Sequence, residues 1–278
     1  MSKKILVIWL FIFLSVSVGY AQNRRFIDQQ IDLAGDSVKF VQIKTDTIFN
    51  SNQIISLLIL PNKAMSSFAV EFALCSRDLK TTSSFAQNNN TVAAINGGFF
   101  NMDEGGSVTY FEKDDTVISK TRTPELKWGI SDSIINGAIV LTRNHNIVVE
   151  PRKSDKLYES SKEELAVLVT GPLLLKNSEK MQFPNMKFVK TRHPRTCLCK
   201  TDKALLLITI DGRTTEAEGM SLYEVQEFLK MIGCVDAINL DGGGSTTMWT
   251  RDKHIVNFPS GKTERPVANA ILIIEKKK

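Results

Sequence analysis

The stretch VDAINLDGGGSTTM, residues 235–248, joins a short apolar run to an acidic residue and three consecutive glycines. Residues 235–240 have the length and composition of a buried strand, so Asp241 falls at the end of a sheet. Glycines let several backbone N–H groups turn toward one point, which favours an anion-binding concavity at residues 242–244. A tight turn with a solvated Asp241 is the alternative, but a two-residue turn requires neither three glycines nor the hydroxyl run that follows.

A strand and a helix precede this loop. The apolar run before Asp211 ends in an Asp-Gly corner like the one at Asp241, and the helix between them begins with capping-box spacing at Ser221 and Glu224. If the two strands are parallel, both corners lie at the same end of the sheet, where ligands bind in open α/β sheets. We therefore predict a β-α-β unit around residues 204–240.

Most of the remaining chain has the pattern of short strands rich in β-branched and aliphatic residues. These lie at residues 38–45, 54–60, 68–73, 91–95, 134–141, 147–149, 165–169, 204–210, 235–240 and 267–274. Short helices are predicted at residues 77–85 and 161–165. The predicted fold class is α+β, with a β-rich core of mixed sheets and a few helices.

The N terminus has the pattern of a secretory signal peptide. Lys3 and Lys4 precede an apolar run at residues 5–18, and Ala21 ends a small-residue cleavage pattern. An uncleaved anchor is the alternative, but the run is short for a membrane span and no stop-transfer pattern follows. We expect residues 1–21 to be removed and the mature protein to be exported, to a periplasm or outside the cell, without stable membrane insertion.

Charge argues against nucleic acid as a partner. The formal net charge is +5 with residues 1–21 included, and the positive residues form no block beyond residues 276–278. Such an electrostatic footprint is too weak to predict nucleic-acid binding. The roughly 255 residues after the signal peptide suit one large domain or two small ones.

The four cysteines leave the disulfide state open. Cys197 and Cys199 would point to the same face of a strand, so a bond between them has poor geometry. One bond from Cys75 or Cys234 to that pair is possible, and free buried cysteines are equally compatible with a chain of this length. Zinc is less favoured, because Cys-x-Cys without a second matched pair lacks the usual ligand spacing.

Three further segments carry polar groups at predicted strand ends. Asn96-Gly97-Gly98 repeats the pattern of a polar side chain before glycines, with a hairpin turn as the alternative. Residues 192–196 place two arginines around His193, and Arg265 precedes the last strand. An arginine fork suits phosphate or carboxylate, and a solvated basic loop is the alternative. His193 is a candidate acid, base or phosphate contact.

These motifs occur together in the order seen in one family. They are Asn96-Gly97-Gly98-Phe99-Phe100, Gly171-Pro172, His193-Pro194-Arg195-Thr196, Asp211-Gly212-Arg213, Gly219 with Ser221, residues 239–246 and Arg265-Pro266-Val267. The chain thus resembles the phosphodiester glycosidase family over roughly residues 88–275. The resemblance implies a glycosidase domain at residues 88–278, with residues 22–87 as a β-rich segment packed on its core. Residues 214–218 depart from the family pattern, which leaves substrate details open.

The resemblance implies hydrolysis of a sugar 1-phosphodiester at the glycosidic bond, with N-acetylglucosamine 1-phosphodiester as the expected substrate and no required cofactor. Asp241 would serve as nucleophile or base, and Asp211 or Glu218 as its partner carboxylate, with His193 as a further catalytic candidate. The expected sugar- and phosphate-binding residues are Asn96, Gly97, Gly98, Arg195, Thr196, Arg213, Gly242, Gly243, Gly244, Ser245, Thr246 and Arg265.

Two other functions use the same residues. A metal-dependent phosphodiesterase would cleave a phosphorus–oxygen bond, with Asp211, Asp241 and Asn239 as ligands of Ca²⁺ or Mg²⁺. A non-catalytic module would hold an anionic glycan in the same cleft. The order of the motifs favours the glycosidase over both.

Overall fold

Three β-sheets form the framework of the computed structural model, which describes residues 24, 25, 27, 29–87 and 90–277. The predicted signal peptide lies outside the described residues. The strands are β1 (Lys39–Thr45), β2 (Gln53–Pro61), β3 (Phe68–Leu74), β4 (Thr91–Asn96), β5 (Phe111–Lys113), β6 (Thr116–Ser119), β7 (Gly137–Thr142), β8 (Ile147–Pro151), β9 (Glu164–Thr170), β10 (Leu173–Lys176), β11 (Glu179–Lys180), β12 (Arg195–Lys200), β13 (Ala204–Ile210), β14 (Asp236–Asn239), β15 (Met248–Thr250), β16 (His254–Ile255) and β17 (Asn269–Glu275). The α-helices are α1 (Thr82–Phe85), α2 (Asp155–Ser160), α3 (Lys187–Lys190) and α4 (Leu222–Met231), and residues 24, 25, 27, 29 and 30 are also helical.

The first sheet has seven strands in the order β1-β2-β13-β12-β14-β10-β11. Strands β13 and β14 each pair antiparallel with β12, so they run in the same direction with one strand between them. Both Asp-Gly corners therefore lie at one end of this sheet. The predicted α+β, β-rich class is confirmed, but every pairing between described strands is antiparallel, so the sheets are not mixed. Strand β12 lies between β13 and β14, so the two strands of the predicted β-α-β unit are not neighbours in the sheet.

The second sheet has the order β16-β15-β4-β17-β3, and the third has the order β6-β5-β9-β7-β8. Strands β1 and β2 extend the first sheet and β3 forms one edge of the second, so residues 22–87 contribute strands to both. The division at residue 88 remains a prediction.

Helix α4 forms as its sequence pattern predicts. The Ser221 hydroxyl accepts from the Glu224 N–H, and the Glu224 carboxylate accepts from the Ser221 N–H. The reciprocal bonds satisfy N–H groups at the start of the helix. Leu222, Val225 and Phe228 are buried, so this face of the helix packs into the apolar cluster that includes Ile208 and Ile210 of β13.

The two short predicted helices fit less well. Only Thr82–Phe85 of residues 77–85 is helical, with Thr81 as its N-cap. The helix expected at residues 161–165 is wrong, because β9 begins at Glu164 and pairs with both β5 and β7. Hydrogen bonding to two neighbouring strands outweighs a weak local helical preference.

The first sheet separates the two main apolar clusters. Leu206, Ile208 and Ile210 of β13 face one cluster, and Leu205 and Leu207 face the other. This alternation follows from the two-residue period of a strand. The nearly continuous burial of β13 shows that both faces of the sheet are covered.

One disulfide joins Cys199 of β12 to Cys234 after α4, with 5.9 Å between the Cα atoms. It is one of the pairings that the sequence left open. Cys75 and Cys197 are free thiols. Within the described residues, no helix is both long enough and apolar enough to span a membrane.

Candidate active site

The glycine loop, residues 241–247, is fastened to two other loops at one end of the first sheet. The Asp241 N–H donates to Gly97 O at 3.0 Å, and the Gly243 N–H donates to Pro194 O at 2.9 Å. The structure therefore joins three of the segments that the sequence analysis singled out. Because the Gly243 N–H is held by Pro194, the loop does not offer all of its N–H groups to a ligand.

Asn96 is the fully buried centre of this junction. Its Nδ2 donates to Asp241 O at 2.7 Å, and its Oδ1 accepts from Thr196 Oγ1 at 2.8 Å and from the Thr247 N–H at 3.1 Å. Both polar ends of the amide are thus used within the protein. Asn96 and Thr196 position the glycine loop, and neither group is directed at a substrate as the sequence analysis expected.

Two arginines lie directly against the glycines. A methyl group on Gly243 would come within 3.0 Å of Arg213 Nη2, and one on Gly244 within 2.2 Å of Arg265 Nη2. Glycine at these positions leaves room for the guanidinium groups. Arg213 has a φ of 67°, a left-handed backbone conformation that is uncommon for arginine. Such conformations are enriched at functional sites, where the surrounding structure holds them.

Neither guanidinium has a carboxylate of the described residues within ion-pair distance of 4.0 Å. Arg213 is exposed and Arg265 is half-buried, so both can meet a ligand at the surface of the loop. Two guanidinium charges without a close ion-pair partner among the described residues raise the local positive potential. The arrangement suits a phosphate or another oxyanion.

Asp241 has an enclosed carboxylate although the residue keeps part of its surface accessible. Burial raises the pKa of Asp241 to about 6, while the nearby Ser245 hydroxyl, the Arg265 charge and the Gly242 N–H act in the opposite direction. Desolvation disfavours the charged carboxylate and raises its pKa, and these three groups offset part of that rise. Asp241 is therefore largely ionised at neutral pH and changes charge within a mildly acidic range.

Several buried polar atoms around the loop have no hydrogen-bond partner within the described part of the chain. They are Asn239 Oδ1, Thr246 Oγ1, Thr247 Oγ1 and Asn269 Nδ2. Buried polar groups are nearly always paired, so a cluster of exceptions favours a ligand site. The Oδ1 of Asn269 accepts from the Gly98 N–H at 2.7 Å, which leaves its Nδ2 as a donor beside the Gly97-Gly98 turn.

Sequence reasoning did not select Thr247 or Asn269 for the site, and it considered Asn239 only as a metal ligand. Asn269 is the first residue of β17 and lies four positions after Arg265. In the sequence, the signal for Asn269 was a polar amide at the start of an apolar strand. Thr247 directly continued the hydroxyl run of the glycine loop.

His193 lies beside Arg213, with its Nδ1 3.5 Å from Arg213 Nη2. Burial lowers the pKa of His193, and the positive charges of Arg195 and Arg213 act in the same direction. The imidazole is therefore neutral at pH 7 and can carry or receive a proton next to the arginine.

Arg195 does not fit the expected role in phosphate binding. The side chain is 1% exposed, its Nε donates to Met220 O, and its Nη2 donates to Phe188 O and Thr191 O. The guanidinium also lies over the Phe188 ring. These contacts make Arg195 a structural residue that connects β12 to the segments around α3 and α4.

Asp211 and Glu218 do not lie beside Asp241 as partner carboxylates. The Asp211 carboxylate accepts from Asn257 Nδ2 at 3.1 Å and from the Phe258 N–H at 3.0 Å, and Glu218 forms an ion pair with Arg192. Neither of these carboxylates contributes to the shifted pKa of Asp241. The strand inserted between β13 and β14 separates the two Asp-Gly corners by two inter-strand spacings, about 10 Å.

Asp211 nevertheless acts on the glycine loop through Asn257. Asn257 Nδ2 donates to both Asp211 Oδ1 and Thr246 O, and its Oδ1 accepts from the Met248 N–H at 2.7 Å. Asp211 thus holds the side chain that fixes the far end of the loop. Its pKa is raised to about 6, mainly by burial.

The described residues contain no group of three or more His, Cys, Asp or Glu side chains arranged to hold a metal ion. The Asp211 carboxylate, one of the metal ligands expected from the sequence, accepts hydrogen bonds from Asn257 and Phe258. The metal site expected at Asp211, Asp241 and Asn239 stays a prediction.

The fold and the site define a β-rich protein in which a buried carboxylate and two arginines lie at one glycine loop at the end of a sheet. The sequence profile of the phosphodiester glycosidase family matches residues 89–274. Because this match covers well over half of the chain, the chain belongs to the phosphodiester glycosidase family.

Sequence relatives agree with this assignment. Mouse N-acetylglucosamine-1-phosphodiester alpha-N-acetylglucosaminidase is 27% identical over 191 residues, which cover 60% of this chain and 33% of the relative. The SPbeta prophage-derived uncharacterized protein YomE of Bacillus subtilis strain 168 is 34% identical over 86 residues, 31% of this chain and 13% of the relative. The chain thus spans about a third or less of the length of these relatives.

A solved structure has the same fold. The zebrafish N-acetylglucosamine-1-phosphodiester alpha-N-acetylglucosaminidase catalytic domain, auto-inhibited by its pro-peptide, superposes with a TM-score of 0.68 at 19% identity. The alignment covers 89% of this chain and 86% of that domain. The likeness establishes the architecture of the chain.

Replacing Arg195 and Arg213 one at a time separates structure from ligand contact. Arg195→Met leaves three backbone carbonyls without their donor, so we expect a loss of about 3 kcal/mol in unfolding free energy and a fall of about 6–12 °C in Tm. Arg213→Met removes an exposed charge, so we expect Tm to stay within about 2 °C while turnover of a sugar 1-phosphodiester falls about 100-fold. An unchanged Tm in Arg195→Met would contradict its structural role.

Adding one methyl group to the loop tests whether Arg265 must lie against it. In Gly244→Ala the new methyl displaces the flexible end of Arg265, so we expect turnover to fall about 10- to 100-fold with little change in Tm. Gly261→Ala is the matched control, because its methyl would meet no atom closer than 3.7 Å. Equal turnover in both variants would show that the position of Arg265 is unimportant.

Proposed function

We propose that this protein is an exported glycosidase that hydrolyses a sugar 1-phosphodiester at the glycosidic bond, releasing the sugar and a phosphomonoester. The observation that carries the proposal is the placement of an ionisable carboxylate, Asp241, on a glycine loop flanked by Arg213 and Arg265. Family membership supports the same chemistry. The phosphorylated saccharide is the proposed partner.

The nature of the leaving group explains why the proposed reaction depends on cationic side chains more than on a second acidic group. A phosphomonoester leaves as a weak base, so its departure depends on stabilisation of negative charge more than on protonation. Arg213 and Arg265 supply that charge at the glycine loop, and the Ser245 and Thr246 hydroxyls add donors. Because protein side chains provide the positive charge, the proposed reaction requires no metal ion.

Asp241 acts at the anomeric carbon in one of two ways. Its carboxylate either attacks that carbon or removes a proton from the attacking water, while the electron pair of the breaking C–O bond moves to the phosphate oxygen. Both routes require the ionised form. His193 replaces Asp211 and Glu218 as the group that exchanges protons, since it is the neutral titratable side chain beside Arg213.

The substrate is proposed from the names of the relatives. The mammalian relatives act, by name, on N-acetylglucosamine 1-phosphodiesters. We propose the same sugar for this chain, with an aglycone that differs because residues 214–218 depart from the family pattern. Asn239 Oδ1 and Asn269 Nδ2 supply one acceptor and one donor for recognition of the sugar or its phosphate.

Asp241→Asn tests the proposal directly. Residues 22–278 are incubated with an N-acetylglucosamine 1-phosphodiester, with and without EDTA, and products are identified by mass spectrometry and phosphorus NMR. We expect free sugar and phosphomonoester from the unmodified protein, unchanged by EDTA, and a loss of at least about 1,000-fold in Asp241→Asn. Its Tm should not fall at pH 7, because burial already disfavours the charged carboxylate.

Other products would identify the alternatives. A sugar phosphate whose formation EDTA abolishes would indicate a metal-dependent phosphodiesterase. Tight binding of the diester without turnover, unaffected by Asp241→Asn, would indicate a glycan-binding module.

The pH dependence follows from the raised pKa of Asp241. The ionised form is required, so we expect kcat/KM to rise as pH increases through about 6. Asp211 titrates in the same range, and Asp211→Asn is the control that separates the two groups. If the rise near pH 6 persists in Asp211→Asn, it does not arise from Asp211; if it disappears, its assignment to Asp241 is wrong.

A further inference from the structure

Three cysteines lie together in the apolar cluster on one face of the first sheet. Cys199 of β12 is bonded to Cys234, which lies between α4 and β14. Cys197 lies two residues earlier in β12, is fully buried in the same cluster and keeps a free thiol. Side chains alternate between the faces of a strand, so Cys197 and Cys199 point to the same side, with their Cα atoms about 7 Å apart. Two cysteines of β12 are thus available to Cys234.

The disulfide lies next to the strand that leads into the glycine loop. Strand β14 begins two residues after Cys234. It pairs with β12 in a register that places Ala237 opposite Cys199 and Asn239 opposite Cys197. A bond that holds Cys234 beside Cys199 therefore also fixes where β14 starts along β12. The glycine loop follows β14 directly, so its position at the end of the sheet depends on the same register.

Apolar burial alone does not specify this register. Ala237 faces the first apolar cluster, whereas Ile238 and Leu240 face the second. A slip by one residue would exchange these faces, but a slip by two residues leaves every side chain on its own side. On its other side, β14 pairs with β10 in a register that is already irregular between Leu173 and Leu175. The disulfide supplies a covalent contact that distinguishes the two registers.

The alternative bond, from Cys197 to Cys234, would move the start of β14 by two residues, about 7 Å along β12. Its loop is only two residues longer than the separation of 35 residues closed by the observed bond. Loop length therefore changes the ease of closure by less than about 1.2-fold. The slip would carry Asp241 past the beginning of β12 and break the hydrogen bond from the Leu240 N–H to Thr196 O, which is 2.8 Å long.

From this arrangement we propose that the Cys199–Cys234 disulfide sets the register of β14, and that an isomer with a Cys197–Cys234 bond is a folded but inactive form of the protein. The partner that interchanges the two isomers during folding is a protein with a reactive dithiol. The loss of activity rests on the function proposed above, whereas the change of register does not.

The interchange conserves electrons. The Cys199 thiolate attacks the sulfur of Cys234, the bond to Cys197 breaks as the new bond forms, and Cys197 leaves as a thiolate that takes up the proton lost by Cys199. The first bond forms from two thiols, and the disulfide form of the partner accepts their two electrons and two protons. In the folded protein, burial raises the pKa of the Cys197 thiol to about 12. Exchange through its thiolate is therefore confined to chains that are not yet folded.

Disulfide mapping tests whether both isomers form. Residues 22–278 are reduced, unfolded in urea and reoxidised with glutathione, and samples are trapped by alkylation and mapped by mass spectrometry. We expect Cys199–Cys234 and Cys197–Cys234 bonds in amounts within about threefold of each other. After removal of urea, added protein disulfide isomerase should speed conversion to the first isomer at least about tenfold. Formation of Cys199–Cys234 alone in urea, or conversion that the isomerase does not speed, would overturn the proposal.

Cys199→Ala tests the register, because it leaves Cys197 as the cysteine of β12 that can bond to Cys234. Its oxidised and reduced forms are compared by hydrogen exchange at the amides of Leu240 and Asp241. We expect a cooperative thermal transition in both forms, but protection of these amides only in the reduced form. Turnover of a sugar 1-phosphodiester should be at least about 100-fold lower in the oxidised form. Equal protection in the two forms, or an oxidised form that does not fold, would overturn the proposal.

Cys197→Ala is the complementary variant, since it retains the observed disulfide and removes the alternative. We expect turnover and amide protection within about twofold of those of the unmodified protein, and refolding that no longer depends on the isomerase. Cys75→Ala is the matched control, because it removes the other free thiol and should leave the dependence on the isomerase unchanged. Hydrogen exchange and disulfide mapping need no turnover, so they decide the register even if the proposed reaction fails.

Discussion

The hydrogen bonds of one buried amide, Asn96, hold the candidate active site together. They join the backbone at Asp241 and Thr247, at the two ends of the glycine loop, to the Thr196 hydroxyl on β12. A loop with three glycines loses much conformational freedom on folding and cannot order itself. If one of these three segments moved away from Asn96, each buried group that lost its hydrogen bond would cost about 1–3 kcal/mol. The other two segments therefore oppose the displacement of the third. The position of Asp241 therefore depends on strand ends from the first and second sheets.

The Asp-Gly corners illustrate what local sequence could and could not predict. The strands before Asp211 and Asp241, the capped helix between them and their common direction all follow from patterns within about 40 residues. The position of β12 between those strands does not, because β12 pairs with β13 as a local hairpin but with β14 through residues about 40 positions apart, and only that second pairing places it between them. That single inserted strand removes Asp211 from the role of partner carboxylate and places it behind the loop, where it holds Asn257.

The arginines also show what local sequence could and could not predict. In sequence, Arg195, Arg213 and Arg265 all occur in short polar segments beside strands, and residue type alone gave each of them the same expected role. In the structure one is enclosed by backbone carbonyls, whereas the other two lie against Gly243 and Gly244. Burial pattern could have distinguished them in part, because Arg195 begins β12 and its neighbours pack into the first apolar cluster. Asn269 and Thr247 were missed because a polar residue inside or beside an apolar strand more often has a structural partner.

The charges of the site also bear on release of the product. On the proposed reaction, a phosphodiester with one negative charge becomes a phosphomonoester with about 1.5 to 2 negative charges at pH 7. Two guanidiniums that stabilise the leaving phosphate in the transition state therefore also hold the product more strongly than the substrate. Asp241 returns to its ionised form after each cycle, and its repulsion of the dianion opposes that attraction. On that reaction an ionised Asp241 serves both steps, since it attacks the anomeric carbon or deprotonates the water and also disfavours the product that the arginines retain.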